Sequence, residues 1–235
     1  NPIILQIKGN VTAGAVAPSA TDFRASKGNL RLKVSSLNMG KVLVKDEFVA
    51  REFPVMNGGD QPILFKGAET PAYMKAEMIP TVVKPGEAAR VRISYNGKLK
   101  GKYGFQSDNI ILHTDDASEP DKSFSVYATL EEFFPSLSAD ALAKAPQLNL
   151  PESSVDFGMI KANATSSRKI TLMNTGKTEL QIREVQSNCA CVQTTIESKT
   201  IKPGASTSLS IDFNPQNRQG TQQKRITIYS NAPVR

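Results

Sequence analysis

Ser208-Leu209-Ser210-Ile211-Asp212-Phe213 and Arg225-Ile226-Thr227-Ile228-Tyr229 place an apolar side chain at every second position. A period of two sends one row of side chains to a packed face and the other to water, which is the pattern of a half-buried strand. Lys169-Ile170-Thr171-Leu172-Met173 and Leu180-Gln181-Ile182-Arg183-Glu184-Val185 alternate in the same way. Between these runs lie Asn174-Thr175-Gly176-Lys177 and Lys202-Pro203-Gly204, whose residue types supply turn dihedrals that strands do not use. Helical periodicity is absent here. Several such strands within about 100 residues predict an immunoglobulin-like sandwich of two packed antiparallel sheets.

The same pattern occurs earlier in the chain. Leu37-Asn38-Met39-Gly40 is matched by Val155-Asp156-Phe157-Gly158, and Met56-Asn57-Gly58-Gly59 by Met173-Asn174-Thr175-Gly176. Val83-Lys84-Pro85-Gly86 returns as Ile201-Lys202-Pro203-Gly204, and Val91-Arg92-Ile93-Ser94-Tyr95-Asn96 as Leu209-Ser210-Ile211-Asp212-Phe213-Asn214. Ile110-Ile111-Leu112-His113-Thr114-Asp115 matches Ile226-Thr227-Ile228-Tyr229-Ser230-Asn231. Blocks in one order at near-constant offset predict two copies of one module. The fold class is therefore all-β, with tandem immunoglobulin-like β-sandwiches at residues 30–130 and 151–235. Residues 131–150 form a linker in which Ser138 caps a short helix over residues 139–144, ended by Pro146, while Phe133 and Phe134 pin the linker. Residues 12–29, rich in Ala, Ser, Thr and Gly, form a more mobile linker.

The first copy closes with Ser123-Phe124-Ser125-Val126-Tyr127-Ala128-Thr129-Leu130, after an acidic loop. The second copy reaches Arg235 before such a strand appears, and residues 2–8 read as a closing strand with no module in front of them. Two readings stay open. Residues 1–11 close an upstream sandwich missing from this sequence, or they donate a strand to the second copy of another chain. Under either reading Ile3, Leu5 and Ile7 are interaction residues, and residues 2–8 are paired in a sheet.

Composition narrows the function classes. The chain has 235 residues, 39% hydrophobic and 22% charged, with a mean hydropathy of −0.30. These are values of a folded globular protein. No apolar run approaches the roughly 20 residues of a membrane-spanning helix. The formal charge of +7 is carried mostly by residues 151–235, but no nucleic-acid reader motif accompanies it, so no nucleic-acid partner is expected. The single histidine, His113, lies at a solvent-side strand position. With no G-x-S-x-G elbow and one histidine, the expectation is a non-enzyme with no catalytic residues.

Three other features carry chemistry. Cys189 and Cys191 are the only cysteines, spaced so that extended backbone points both to one face. They could pack the sandwich, join in a disulfide, or as thiolates hold a soft metal ion, and a metal- or thiol-handling role is the alternative function. No other cofactor is expected. Gly97-Lys98-Leu99-Lys100-Gly101-Lys102-Tyr103-Gly104-Phe105 reads as a long hairpin connection, with Lys98, Lys100 and Tyr103 as candidate contact residues. Asp115-Asp116-Ala117-Ser118-Glu119-Pro120-Asp121 lacks the pattern of a calcium loop and reads as a solvated turn.

Val155-Asp156-Phe157-Gly158, Thr171-Leu172-Met173-Asn174-Thr175-Gly176, Ser187-Asn188-Cys189-Ala190-Cys191, Ile201-Lys202-Pro203-Gly204 and Ile228-Tyr229-Ser230-Asn231 together resemble a bacterial envelope family of unknown function. That family is typical of the Bacteroidota and is built of tandem hydin-type (ASH-like) immunoglobulin domains with a C-x-C signature. The resemblance covers nearly the whole chain. It implies a periplasmic or cell-surface location and a partner that is an envelope protein or outer-membrane complex. It also implies a three-domain layout in which residues 1–11 close a first domain. It implies no activity. The sequence departs from the signature at Ala190, where the family has Gly, and Ala is penalised if the backbone there needs φ > 0.

Overall fold

The computed structural model describes residues 22–216 and 218–233. Residues 1–11, expected as a closing or donor strand, lie outside the described residues. The described residues up to 132 give ten strands and one helical turn: β1 (Ala25–Lys27), β2 (Leu30–Leu32), β3 (Leu37–Val44), β4 (Val49–Asn57), β5 (Ile63–Glu69), β6 (Met74–Ile79), β7 (Val82–Val83), β8 (Ala88–Tyr95), α1 (Gly97–Lys100), β9 (Gly104–Thr114) and β10 (Asp121–Glu132). Then follow α2 (Ala139–Lys144), β11 (Leu148–Asn149), β12 (Ser166–Asn174), β13 (Leu180–Ser187), β14 (Val192–Ile196), β15 (Thr200–Ile201), β16 (Ser206–Phe213) and β17 (Ile226–Ser230).

Four sheets result. In the first repeat the orders are β1-β2-β4-β8-β6 and β3-β10-β9-β5-β7; in the second they are β11-β12-β16-β14 and β15-β13-β17. Each pair of sheets encloses its own apolar core. One core gathers Leu37, Met39, Val91, Ile93, Ile110, Leu112, Phe124 and Val126; the other gathers Leu172, Leu180, Ile182, Leu209, Ile211 and Phe213. The fold is all-β and sandwich-built, as the alternation predicts. Strands β8 and β16 show why. Their inward residues Val91, Ile93 and Tyr95, and Leu209, Ile211 and Phe213, are buried while the residues between them face out or lie at the surface.

The sequence repeat has a structural counterpart down to single side chains. Strand order β2-β4-β8-β6 matches β11-β12-β16-β14, and β9-β5-β7 matches β17-β13-β15. Buried Asn57 donates from Nδ2 to the carbonyls of Gln61 (2.7 Å) and Val83 (2.9 Å), and its Oδ1 accepts from Gly59 N (2.9 Å). Buried Asn174 does the same to Thr178 (2.8 Å), Ile201 (2.9 Å) and Gly176 N (3.0 Å). In both repeats one amide side chain satisfies the backbone groups of a turn that has no ladder partner.

A further pair of equivalent motifs shares a turn, which in the first repeat forms a bulge. Along β10, pairing to β3 jumps from Tyr127↔Asn38 to Ala128↔Gly40, leaving Met39 as the extra residue, turned into the core. Gly40 adopts φ 65°, and its N–H donates to Asn38 Oδ1 at 2.8 Å. Gly158 adopts φ 64° and donates to Asp156 Oδ1 at 2.8 Å. Asp156-Phe157-Gly158 thus repeats the local turn of Asn38-Met39-Gly40.

Helix α2 forms where Ser138 predicts it, the Ser138 Oγ accepting from Ala141 N at 3.2 Å. Within the span expected to link (residues 12–29), Ala25–Lys27 pairs with β2 as β1, and Phe23 is buried. Two readings need correction. Residues 97–105 begin with the helical turn α1, capped by Asn96 Oδ1 accepting from Leu99 N at 3.0 Å, rather than running as an open hairpin. The acidic loop is not simply a solvated turn either. Asp116 is buried and accepts from Asn29 N (2.8 Å), Ser118 Oγ (2.6 Å) and Lys122 Nζ (2.6 Å), and the Lys122 side chain is wholly buried.

Candidate functional site

A groove of about 1480 Å³ runs along one side of the second repeat. Val155, Phe157 and Ile160 line one part of it, β17 another through Ile226 and Ile228, and the polar stretch 218–225 a third. Ile170, Val192, Leu209, Ile211 and Phe213 line it from the core. Phe157 is held in place by Phe213, ring centroids 5.9 Å apart in an edge-on arrangement, and by the Arg168 guanidinium 5.8 Å from its ring centre.

The first repeat shows what this groove corresponds to. There β10 lies between β3 and β9, parallel to the first and antiparallel to the second. Its inward residues Phe124, Val126, Ala128 and Leu130 are at most 1% exposed. In the second repeat the Val155–Ile160 stretch stands where β3 does and β17 where β9 does. Among the described residues β17 pairs with β13 and with no other strand. The burial record follows. Leu37, Met39, Val42, Ile110 and Leu112 are fully buried, whereas their counterparts Val155, Phe157, Ile160, Ile226 and Ile228 are only half-buried. Burying a large aliphatic side chain from full exposure stabilises by about 1.5–3 kcal/mol, so completing the burial of a half-buried one adds roughly half of that. Among the described residues, then, apolar area along the groove is only half covered and one edge of β17 has no strand beside it, the two terms that drive strand addition.

Cys189 and Cys191 occupy the turn between β13 and β14, and their sulfurs are bonded to each other. Cys191 is buried in the core, with Cys189 packed at its margin. The backbone of the turn is tied down by Val192 N donating to the Cys189 carbonyl (3.0 Å) and Asn214 N to the Cys191 carbonyl (2.8 Å). Among the described non-glycine residues only Gln216 has φ > 0, so Ala190 replaces Gly in this turn without a left-handed backbone. Among the described residues no group of three or more His, Cys, Asp or Glu side chains is gathered as a metal site.

The other sequence-expected contact residues are dispersed. Ile3, Leu5 and Ile7 lie outside the described residues. Lys98 is exposed and reaches Asp46 (3.1 Å). Lys100 turns inward to Asp108 (2.6 Å) and Tyr73 Oη (2.9 Å), at the hydroxyl end of Tyr95. Burial lowers its ammonium pKa, but the bonds to Asp108 and Tyr73 outweigh that and hold it above its ordinary range. Tyr103 carries the Arg183 guanidinium 5.4 Å from its ring centre, at the junction between the repeats. The sequence predicts a strand-receiving edge in the second copy, but Val155, Phe157, Ile160, Ile226 and Ile228 are not among the expected contact residues. The usable signal was there: two motifs that flank β10 in the first repeat recur in the second.

A family model described as "Protein of unknown function (DUF1573)" matches residues 148–235. A second, described as "HYDIN/CFA65/VesB-like, Ig-like domain", matches residues 28–129. Neither description names an activity. No curated protein matches. Among solved structures, a protein of unknown function from Porphyromonas gingivalis W83 is 20% identical with a TM-score of 0.63, covering 88% of this chain and 94% of that one. The secreted serine protease VesC from Vibrio cholerae is 14% identical with a TM-score of 0.32, covering 86% of this chain and 50% of that one. The first of these shares the fold; the second is too distant in shape to support more. The chain is therefore similar to immunoglobulin-like proteins of unknown function.

Proposed function

We propose that this chain is a non-catalytic structural and interaction subunit of the bacterial cell envelope, periplasmic or at the cell surface. It binds a partner protein or envelope complex through sheet edges and loops. The observation that carries the reading is the groove of the second repeat, lined by Val155, Phe157, Ile160, Ile226 and Ile228 and bordered by β17, which among the described residues pairs with β13 alone. An extended segment laid there gains main-chain hydrogen bonds from β17 and pockets for alternate side chains. The division into sandwich domains at residues 30–130 and 151–235, joined by residues 131–150, belongs to this reading. The envelope location is supported by the resemblance of the motifs to an envelope family. The Cys189–Cys191 disulfide adds to it, because such bonds persist in oxidising compartments. No helix among the described residues is long and apolar enough to cross a membrane.

Panning the immobilised full chain against random extended peptides tests the proposal. Binders are expected to carry apolar residues at every second position. Ile228→Glu, which puts a charge on the groove wall, is expected to weaken their capture by at least about tenfold without loss of the far-ultraviolet strand signal. Binders lacking alternation, or capture indifferent to Ile228→Glu, overturn the reading.

A further inference from the structure

We propose that the Cys189–Cys191 disulfide is a thiol–disulfide exchange site, opened by a dithiol, whose redox state sets the freedom of the connection between β16 and β17.

Comparing the repeats shows what the bond holds. Met74 pairs with Tyr95 and Val192 with Phe213, so Tyr73 and Cys191 occupy equivalent positions, as do Asn96 and Asn214. One backbone bond is common to both: Asn96 N donates to the Tyr73 carbonyl (2.9 Å) and Asn214 N to the Cys191 carbonyl (2.8 Å). Beyond it the repeats differ. In the first, side chains also hold the connection between β8 and β9, Lys100 Nζ donating to Tyr73 Oη (2.9 Å) and to Asp108 (2.6 Å). In the second, the Arg218 guanidinium donates within its own connection, to the Pro215 carbonyl (3.0 Å) and Gln216 Oε1 (3.1 Å). Among the described residues, the hydrogen bonds that leave this connection all end on the cysteine turn. They are Asn214 N to Cys191, Asn188 N to the Arg225 carbonyl (3.0 Å) and Arg225 N to Asn188 Oδ1 (3.0 Å). The Cys191 side chain, standing where Lys100 grips Tyr73 in the first repeat, is bonded instead to Cys189 and fixes the turn from within.

Access and energetics suit exchange. Cys191 is buried, whereas Cys189 is half-buried between exposed Asn188 and Ala190, so an incoming thiolate meets the Cys189 sulfur. Its attack breaks the S–S bond, and Cys191 Sγ leaves with the electron pair and takes a proton. The second thiolate of the same dithiol then attacks its partner sulfur in the mixed disulfide and expels Cys189 Sγ. That sulfur lies 3.2 Å from the Cys191 N–H, which steadies the departing thiolate until it too is protonated. The chain ends as a dithiol and the reductant as a disulfide, a two-electron, two-proton exchange. The fold survives it. The entropy that a cross-link withholds from the unfolded chain falls with the length of the loop closed, and this bond spans a single residue. The core of Leu172, Leu180, Leu209, Ile211 and Phe213 needs no sulfur bridge to stay packed. What loosens is the turn, and with it the connection tied to it.

The test treats the full chain with dithiothreitol in the absence of denaturant, alkylates it with iodoacetamide and follows hydrogen exchange by mass. Both cysteines should become alkylated in a chain that keeps its far-ultraviolet strand signal. Exchange at residues 218–225 should rise by at least about tenfold, while residues 97–103 stay unchanged. Cys189→Ser with Cys191→Ala should show the raised exchange with or without dithiothreitol. A parallel arm with reduced thioredoxin separates the sources: opening by it assigns a protein dithiol, and opening by dithiothreitol alone assigns a small one. Cysteines alkylated only after unfolding, exchange at residues 218–225 indifferent to reduction, or loss of the strand signal on reduction overturn the proposal.

Discussion

At the scale of single residues, the fold depends on polar groups buried where a strand pattern would place apolar ones. Asn57 and Asn174 are essentially inaccessible, at 0% and 1% exposure, and each satisfies two carbonyls and one N–H of a turn. Removing such a side chain strands its partners without water. Asn57→Ala and Asn174→Ala are each expected to destabilise by about 2–4 kcal/mol, read as a shift in the urea midpoint with the slope unchanged. Lys122 is a second case. It donates to Asp116, to the Lys27 carbonyl (3.0 Å) and to the Glu119 carbonyl (2.7 Å), from a side chain with no exposure. Lys122→Met leaves a buried carboxylate with only Asn29 and Ser118 as donors, and a loss of about 3–5 kcal/mol is expected. Burial raises the Asp116 pKa, yet the Lys122, Ser118 and Asn29 hydrogen bonds outweigh it and hold the group well below its ordinary 3.8. Its stabilisation is thus complete above the ordinary carboxylate value and is lost as pH falls through the folded one. Acid titration of Lys122→Met should therefore show a smaller loss between pH 4 and pH 2 than the parent chain does. Lys122 also marks the limit of a pattern reading. It sits in the inward phase of β10, two before Phe124, and a charge in that row announces a partner, but the partner is a loop aspartate whose inward turn no periodicity encodes.

At the scale of elements, alternation and repeat spacing carried most of the fold, because strand faces are set by a period that local sequence records. Strand ends and connections were less legible. The helical turn α1 arises because Asn96, at the end of β8, caps it and Gly101 ends it at φ 65°. Those are single-residue signals inside a Lys-Gly stretch that reads equally as a loop. The β9–β10 hairpin offers a test of an element. His113 and Asp121 are directly paired across it, His113 Nδ1 lying 2.7 Å from the Asp121 carboxylate and Nε2 3.2 Å from Glu69 of β5. The hydrogen bond to Asp121 raises the imidazole pKa above 6.5, against a smaller desolvation effect, and Glu69 adds to the rise. A raised folded value means the stabilisation is present below the ordinary imidazole pKa and is lost as pH rises through the folded one. Proton-resonance titration should place His113 above its free value, and Asp121→Asn should bring it down. A His113 pKa unmoved by Asp121→Asn contradicts the arrangement.

At the scale of the whole molecule, the two repeats meet through polar contacts rather than a shared core. Gln186 of β13 accepts from Phe105 N at 2.7 Å and Arg183 donates to the Glu132 carboxylate at 2.6 Å, while Thr178 Oγ1 ties the second repeat to the linker by donating to the Lys144 carbonyl at 3.1 Å. The two apolar cores remain separate. These contacts escaped the sequence reading because they join unlike positions of the two copies, so no repeat offset relates them. Their energetic weight is small, since a partly exposed ion pair contributes about 1 kcal/mol or less. Their effect is on orientation. The junction sits beside β13, the strand that pairs with β17, so the position of the groove relative to the first repeat is set there. The double substitution Arg183→Ala with Gln186→Ala is therefore expected to change chain stability by no more than about 1–2 kcal/mol. It should nonetheless broaden the distribution of inter-repeat distances seen by small-angle scattering or by spin labels placed one in each repeat. A distribution as narrow as that of the parent chain means the linker, with α2 and the Thr175 N to Gln147 carbonyl bond at 3.0 Å, fixes the angle unaided. A large loss of stability means the repeats fold as one cooperative body, and the second repeat does not carry its groove as an independent unit.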